Sequence, residues 1–499
     1  MVVLIGVFIS KIIYYQYELS RDENLVQFDS VIYASGRLVA HVAEPWRTFA
    51  SALEPRFMTP IADGAAFISE YLPINAALRA LFGLVVDPVW MNPIFSGLSV
   101  ALTYRIGMRL WTAKPDAALV AALFVGVSSQ VIITSATSYA MTGHLFLNLL
   151  WLALFLRGDR IGYATALLVG FLATGLHQAA FHPLFAAPFI LSLPAKSRVR
   201  LLFFIFYAAF VLFWLSYLKI ITHITDLKIQ MDMSPTEYLS YRILTTVRSV
   251  NAETILLMIK NIIRFLSWNC ILIIFFATFS CSMIRARTAA RPLALGIAFT
   301  LGVLVVLMPL QGHGWGYRYM HGLIGSLGLL AGFGWIALTD GKPPAAQGFL
   351  RQWAVVGAAI SFFGITPIHA WQVNAFVAPY ARASDAIAMA EPDKVVVVDN
   401  AGFLFGEDLV RNDPFLRNGP KIMTLAKMNA KLASELCDRH AVLFFDKTHA
   451  AQFGLLVDIY GDVPLEAHNG ALRALMAARG CGTPMPTKPM PTKPTPTKP

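Results

Sequence analysis

Charge is what this sequence has least of. Asp, Glu, Lys and Arg together make up 14% of its 499 residues, where soluble domains carry about a quarter. A chain so poor in charge, and 57% hydrophobic, is not a string of soluble domains, although its length would allow about two to four of them. It also lacks a basic stripe with interleaved aromatics. The net charge of +11 therefore does not point to nucleic acid, and none is expected as a partner. Residues 2–17 have no basic leader and no small-residue cleavage site, so no cleaved signal peptide is expected there. That segment is short for a span, and the first helix is expected to start upstream of Met1. No internal repeat relates the two halves of the chain, which argues against the repeat-built transporters.

What is present is apolar blocks of about 16 to 23 residues, the length that crosses hydrocarbon at ~1.5 Å per residue. Bilayers offer no water to backbone N–H and C=O groups, so such blocks must be helices. We read eleven spans: 2–17, 89–111, 117–134, 141–156, two short crossings within 161–193, then 201–218, 265–283, 292–310, 323–338 and 353–371. The split within 161–193 falls at His177, Gln178 and His182, which interrupt about 33 mostly apolar residues. A shorter apolar patch, 74–86, reads as an interfacial or re-entrant helix.

The loop charges agree with this count. Lys114, Arg157, Arg160, Lys196, Arg198, Arg200, Arg285, Arg287, Arg291, Lys342 and Arg351 all fall in short inter-span loops. With eleven spans and the N-terminus inside, every one of those loops is cytoplasmic. The protein is thus expected in the inner (plasma) membrane, multi-pass, with a cytoplasmic N-terminus. The first loop (18–88), the 219–264 region, the 311–322 loop and the C-terminal region then lie outside.

The expected domain organisation follows from that pattern. Residues 1–375 form a transmembrane domain. Residues 381–482 are more polar and read as a small soluble α/β domain, periplasmic or extracellular, with strands at 394–398 and 441–445 and a helix at 426–438. Its two cysteines, Cys437 and Cys481, are either a disulfide, if the domain faces an oxidising compartment, or free thiols. Cys270 and Cys281 lie in a span and read as packing residues. Residues 483–499 repeat Pro-Thr-Lys-Pro and read as an extended, disordered tail.

Three polar elements stand out on the outer side. Just past the first span, Asp22 and Glu23 follow Ser20. Helix capping explains such acids, yet an interfacial carboxylate also suits a group transfer, as a base for a hydroxyl or as a ligand of a charge-neutralising metal. His144 opens the fourth span, and His177 and His182 sit at the split. Ionisable groups at a helix break are costly unless they line a polar cavity, so a shared cavity is expected. The 311–322 loop packs His313, Tyr317, Arg318, Tyr319 and His321 among four glycines and Trp315. Glycine lets backbone approach closely, and Arg makes bidentate contacts to phosphate. An aromatic belt with a snorkelling Arg is the plainer alternative; the density of donors favours a site for an anionic headgroup.

These residues resemble a family. Asp22-Glu23 after the first span, Glu70-Tyr71-Leu72-Pro73 in a long first loop, Met91-Asn92-Pro93, the stretch 139–147 with His144, and Gly316-Tyr317-Arg318-Tyr319 are similar to elements of the polytopic GT-C glycosyltransferases, the protein O-mannosyltransferase and aminoarabinose-transferase-like enzymes. The resemblance implies an α-helical polytopic GT-C-like fold. It also implies a polyprenyl-phosphate-linked sugar donor, used on the non-cytoplasmic face, and a saccharide, lipid or protein acceptor. Carried over residue by residue, it makes Asp22 the general base with Glu23 beside it. It makes Arg318 a ligand of the donor phosphate, helped by His321, His177 and His182. His144, Tyr317, Tyr319 and His313 then line the substrate cavity. One departure matters: where relatives carry an Arg-Pro pair at the bend, this chain has His182-Pro183, so His177 or His182 must substitute. No cofactor is called for, a divalent metal at the loop acids being the one alternative left open. The absence of any Asp-x-Asp pair argues against a nucleotide-sugar donor. A transporter or flippase of lipid-linked saccharides is the alternative activity, and a non-catalytic scaffold a third.

Overall fold

The structure, a computed structural model, describes all residues except 231–239, 241–243, 246–250, 287, 309, 459–460 and 487–499. Most of the Pro-Thr-Lys tail thus lies outside the described residues. The chain divides into two compact units.

The first unit comprises 1–16, 71–221 and 231–373 and is a helical bundle. Helices stand at all eleven expected positions. Among the described residues, length and apolarity alone qualify four helices as spans, or six if each bent pair counts once. Four shorter apolar helices join them: Val2–Ile13, Ala140–Phe155, Arg160–Thr174 and Phe181–Ser192. The last two show the split at 177–182 as expected. The chain leaves helix after Thr174 and re-enters it at Phe181.

Two spans differ from the expectation. In place of one crossing at 265–283, Ala252–Trp268 and Ile271–Thr278 meet at 104°. In place of a straight 117–134, Pro115–Gly126 and Ser129–Ser135 meet at 53°. Freed backbone groups at such breaks need polar partners in an apolar surrounding; here side chains of the two breaks bond to one another, and Asn269 serves a backbone carbonyl of its own break. Ser128 Oγ donates to Asn269 Oδ1 (2.7 Å). Asn269 Nδ2 donates to Gln130 Oε1 (3.1 Å) and to the Phe265 carbonyl (2.8 Å). Apolar block length cannot show such a bend, because one Asn or Ser barely changes the block's mean hydropathy. The last apolar block also extends well beyond 353–371, in a continuous helical run from Pro344 to Ala388.

The second unit comprises 17–70, 222–230 and 374–499. It contains β1 (Ala40–His41) antiparallel to β2 (Ala66–Phe67). Its main sheet has β3 (Val395–Val398), β4 (Lys421–Thr424), β5 (Val442–Phe445) and β6 (Thr483–Pro484), all parallel in the order β4-β3-β5-β6. β3 reads Val-Val-Val-Val and β5 Val-Leu-Phe-Phe, every residue buried, the pattern of strands covered on both faces. Helix Ala430–Arg439 lies between β4 and β5, and helices Lys447–Phe453 and Val463–Ala478 lie between β5 and β6. Cys437 and Cys481 form a disulfide, joining the first of these helices to the segment that follows the last.

Residues of the first loop are stitched to this α/β fold within the same unit. Asn412 Nδ2 donates to the Leu53 carbonyl (2.8 Å) and to that of Ile422 in β4 (2.7 Å). Lys427 pairs with Glu54 (3.2 Å), and Arg56 with Glu407 (2.9 Å).

Candidate active site

In the bundle, the turn before helix Ala140–Phe155 is held by two asparagines. Asn92 Nδ2 donates to the carbonyls of Thr137 (2.7 Å) and Tyr139 (3.0 Å), and Asn75 Nδ2 to that of Ser138 (3.0 Å). This explains why Asn92 stands in its Met-Asn-Pro context: its amide meets carbonyls released where the preceding helix ends. The turn sets Tyr139 and His144, and Tyr139 Oη reaches the His313 carbonyl (3.2 Å).

The 311–322 loop is tied down from several sides. Gln130 Nε2 donates to the Tyr317 carbonyl (2.9 Å). Gln311 accepts from the Arg318 backbone N–H (3.0 Å) and donates to the Gly316 carbonyl (3.0 Å). Arg318 is buried, its guanidinium 5.4 Å from the ring centre of Tyr139 and 5.0 Å from that of Tyr319. Its Nη2 donates to Tyr319 Oη (3.3 Å). Rings placed so hold a cation in a fixed pose without neutralising it. Tyr317 is directed elsewhere, its hydroxyl donating to Met258 Sδ (3.9 Å), while the His313 ring meets Trp315 edge-on at 5.1 Å.

Gly316 sits at φ +64°, and a Cβ there would lie 2.5 Å from Gln130 Oε1. Gly316→Ala is therefore expected to lower stability by about 1–3 kcal/mol through strain and loss of the Gln130 anchor. Gly302, in helix Ala290–Leu307, has nothing within 4 Å of a built Cβ, so Gly302→Ala should be neutral or stabilising by up to ~1 kcal/mol. Thermal unfolding of the two variants in one detergent checks the opposite signs.

The structure brings the histidines together. His144 has His177, His182 and His321 as its electrostatic neighbours. His144, Asn148, Phe181, Thr300, Tyr319 and Gly322 line a cavity of about 10 Å³, room for one water-sized sphere. Asn148 fixes one histidine completely. Its Nδ2 donates to the Gly322 carbonyl (3.0 Å), so its Oδ1 must accept the proton of His182 Nδ1 (2.7 Å). In the neutral ring, His182 Nε2 then accepts from the Tyr207 hydroxyl (2.7 Å). Both ring nitrogens of His182 are thus committed inside the fold. His144 and His321 differ: both are buried, and no ring nitrogen of either has a hydrogen-bond partner among the described residues. His177 is half-buried and meets the Tyr71 ring edge-on at 4.9 Å, linking the Glu-Tyr-Leu-Pro motif to the bend.

Asp22 and Glu23 belong to the second unit, in the first turn of helix Arg21–Ala34. Glu23 closes a capping box with Ser20. Its N–H donates to Ser20 Oγ (3.3 Å), and its Oε2 accepts from the Ser20 N–H (3.4 Å). The capping explanation for this acid pair is therefore realised by Glu23. Asp22, beside it, is buried but outside the box. Among the described residues, no group of three or more His, Cys, Asp or Glu could hold a metal ion.

The sequence reading missed Gln130, Asn148, Asn269, Thr300 and Tyr207. Asn148, Asn269, Thr300 and Tyr207 are single polar residues within or beside apolar helices, and that isolation was the available signal; Gln130 closes the polar run Ser128-Ser129-Gln130.

No protein-family profile matches the chain, and no curated protein matches it either. Among solved structures, it is similar to the crystal structure of ArnT from Cupriavidus metallidurans in the apo state, at 12% identity and a TM-score of 0.52. The alignment covers 88% of this chain and 87% of that one. The likeness shows the fold: this chain is a polytopic, GT-C-like helical membrane protein with a small α/β portion.

Proposed function

We propose that the protein is an inverting membrane glycosyltransferase. It would move a sugar from a polyprenyl-phosphate-linked donor to an acceptor hydroxyl on the non-cytoplasmic face. The observation that carries this reading is the GT-C-like fold, matched over 88% of the chain rather than in one module.

In the proposed step, the Asp22 carboxylate takes the proton of the acceptor hydroxyl. The acceptor oxygen attacks the anomeric carbon from the side opposite the phosphate. The bond from that carbon to the phosphate oxygen breaks, and the polyprenyl phosphate leaves with the electron pair. Separately, within the bundle, the resemblance makes Arg318, caged by Tyr139 and Tyr319, the ligand of the donor phosphate, with His144 and His321 as further N–H donors to the donor. His177 takes the place of the relatives' bend arginine. His182, with both nitrogens engaged, positions Asn148 and through it Gly322. Glu23 shapes the turn that carries Asp22, while Tyr317 and His313 hold the loop.

The orientation has separate support. The Cys437–Cys481 disulfide suits an oxidising compartment, and the basic short loops suit the opposite side.

Mass spectrometry of lipids co-purified with the protein tests the donor class. A polyprenyl-phosphate sugar, depleted in Arg318→Ala, is expected. Ordinary phospholipids alone would count against the assignment.

A further inference from the structure

Two sets of contacts converge on the turn that carries Asp22, and a third anchors the segment that makes them, all within the second unit. First, Arg411 reaches Glu18: its Nη1 donates to Glu18 Oε2 (3.2 Å), and its Nη2 to the Glu18 carbonyl. The same guanidinium lies 3.9 Å over the Tyr17 ring centre, and its Nε donates to the Asp408 carbonyl (3.0 Å). Second, Asp408 Oδ1 is 3.5 Å from Arg21 Nε, with Asp408 only 3% exposed. Third, the neighbouring Glu407 is paired with Arg56. The segment 406–411, just beyond β3 of the α/β fold, thus grips residues 17–21 on the chain side leading into Asp22.

We propose that Arg411 and Asp408 are positioning residues for Asp22, so that the C-terminal α/β fold sets the geometry of the base. This rests on the reading of Asp22 given above. The capping box fixes Ser20 and Glu23 relative to each other. Arg411 and Asp408 add two further holds, at Glu18 and Arg21 on either side of Ser20. Arg411 and Glu18 are only 16% and 19% exposed, so this pair is screened less than a surface pair. A base displaced by about 1 Å can cost on the order of a hundredfold in rate, which gives so indirect a contact a measurable consequence.

Asp408 also gives the arrangement a pH signature. Burial pushes its carboxyl up to about 7, against the lowering influence of Arg21 and Arg411, with Glu407 and Asp22 adding to the rise. Tyr17 and Tyr380 face it as well. Below pH ~7 the carboxyl is neutral and grips Arg21 weakly; above it the charged pair forms. Turnover is therefore expected to rise with pH through a limb near 7, and Asp408→Asn should lack that limb.

The test uses the full chain in nanodiscs. Arg411→Ala, Arg411→Lys and Asp408→Asn are compared with the wild type and with Asp22→Asn. Hydrogen exchange is followed for residues 17–24. Turnover is followed with a panel of synthetic decaprenyl-phosphate-linked pentoses and hexoses, and binding with decaprenyl phosphate itself. Arg411→Ala should speed exchange at 17–24 and lower kcat by about 10- to 100-fold, with decaprenyl phosphate affinity unchanged within about twofold; Arg411→Lys should fall between. Wild-type exchange at 17–24 in Arg411→Ala overturns the proposal, and this readout needs no donor. A wild-type kcat in that variant overturns it too, as does an unaltered pH limb in Asp408→Asn. Should Arg411→Ala fail to fold, Arg411→Lys and Asp408→Asn decide by the same readings. Full activity in Asp22→Asn is a different outcome: it removes the base assignment while leaving the exchange result standing.

Discussion

Asp22→Asn should reduce sugar transfer by about 10²- to 10⁴-fold, the range a positioned general base contributes. The amide keeps the side chain's shape and cannot accept the acceptor's proton. Asp22 stands at the second position of helix Arg21–Ala34, where acids favour the helix N-terminus by a few tenths of a kcal/mol to about 1. That modest contribution keeps any fall in stability small. The capping box is made by Ser20 and Glu23, so the turn should survive the change. Expression and unfolding temperature should stay near wild type, while initial rates with lipid-linked donors collapse. Glu23→Gln offers the contrast: glutamine still serves a capping box, so its activity should drop far less. Equal losses in the two variants would mean that the turn, rather than the Asp22 carboxylate, had been measured.

Arg318→Ala is expected to produce the largest loss in donor binding. Charge-assisted hydrogen bonds to phosphate contribute about 1.5–3 kcal/mol each, and a bidentate guanidinium makes two. Decaprenyl phosphate affinity should therefore fall by about 10²- to 10⁴-fold. Arg318→Lys keeps a charge but loses the planar fork and its stacking on Tyr139 and Tyr319, so it should recover only part of the affinity. Equilibrium binding of decaprenyl phosphate in nanodiscs reads this directly. Unchanged affinity in Arg318→Ala would assign the arginine to packing between the two tyrosines.

The helix positions were legible because apolar block length is a direct consequence of bilayer thickness. The split at 177–182 was legible for the same reason: two histidines and a glutamine interrupt an apolar run far too long for one crossing. The bend at Asn269 was not, because a lone asparagine can sit in a straight helix, and only its partners Ser128 and Gln130, some 140 residues earlier, make it a break. The strands at 395–398 and 442–445 showed as short β-branched or aromatic runs. β4 (Lys421–Thr424) did not, since Lys-Ile-Met-Thr carries little strand signal and becomes a strand by pairing with β3.

The site was legible by residue type but not by duty. Glu23 and Asp22 look alike in the sequence, and only the Ser20 geometry separates the capping acid from its neighbour. His182 and His144 look alike too, yet Asn148 and Tyr207 saturate the first, while the second has no hydrogen bond among the described residues. Arg411, in the stretch Leu409–Pro414 that resembles the soluble tail of some family members, could be given no duty from the sequence. Its importance arises from Glu18 and Tyr17, nearly 400 residues away in sequence, and chain order carries no trace of that contact.

The central claim is chemical transfer of a lipid-linked sugar rather than its movement. The most direct test places the purified protein in proteoliposomes with decaprenyl-phosphate-linked radiolabelled sugars, together with a crude lipid and saccharide acceptor extract. Label should pass covalently into a new product, with decaprenyl phosphate released in equal amount and both lost in Asp22→Asn. Label that crosses the bilayer still attached to its original lipid, with no decaprenyl phosphate released, would contradict the account and establish a flippase instead.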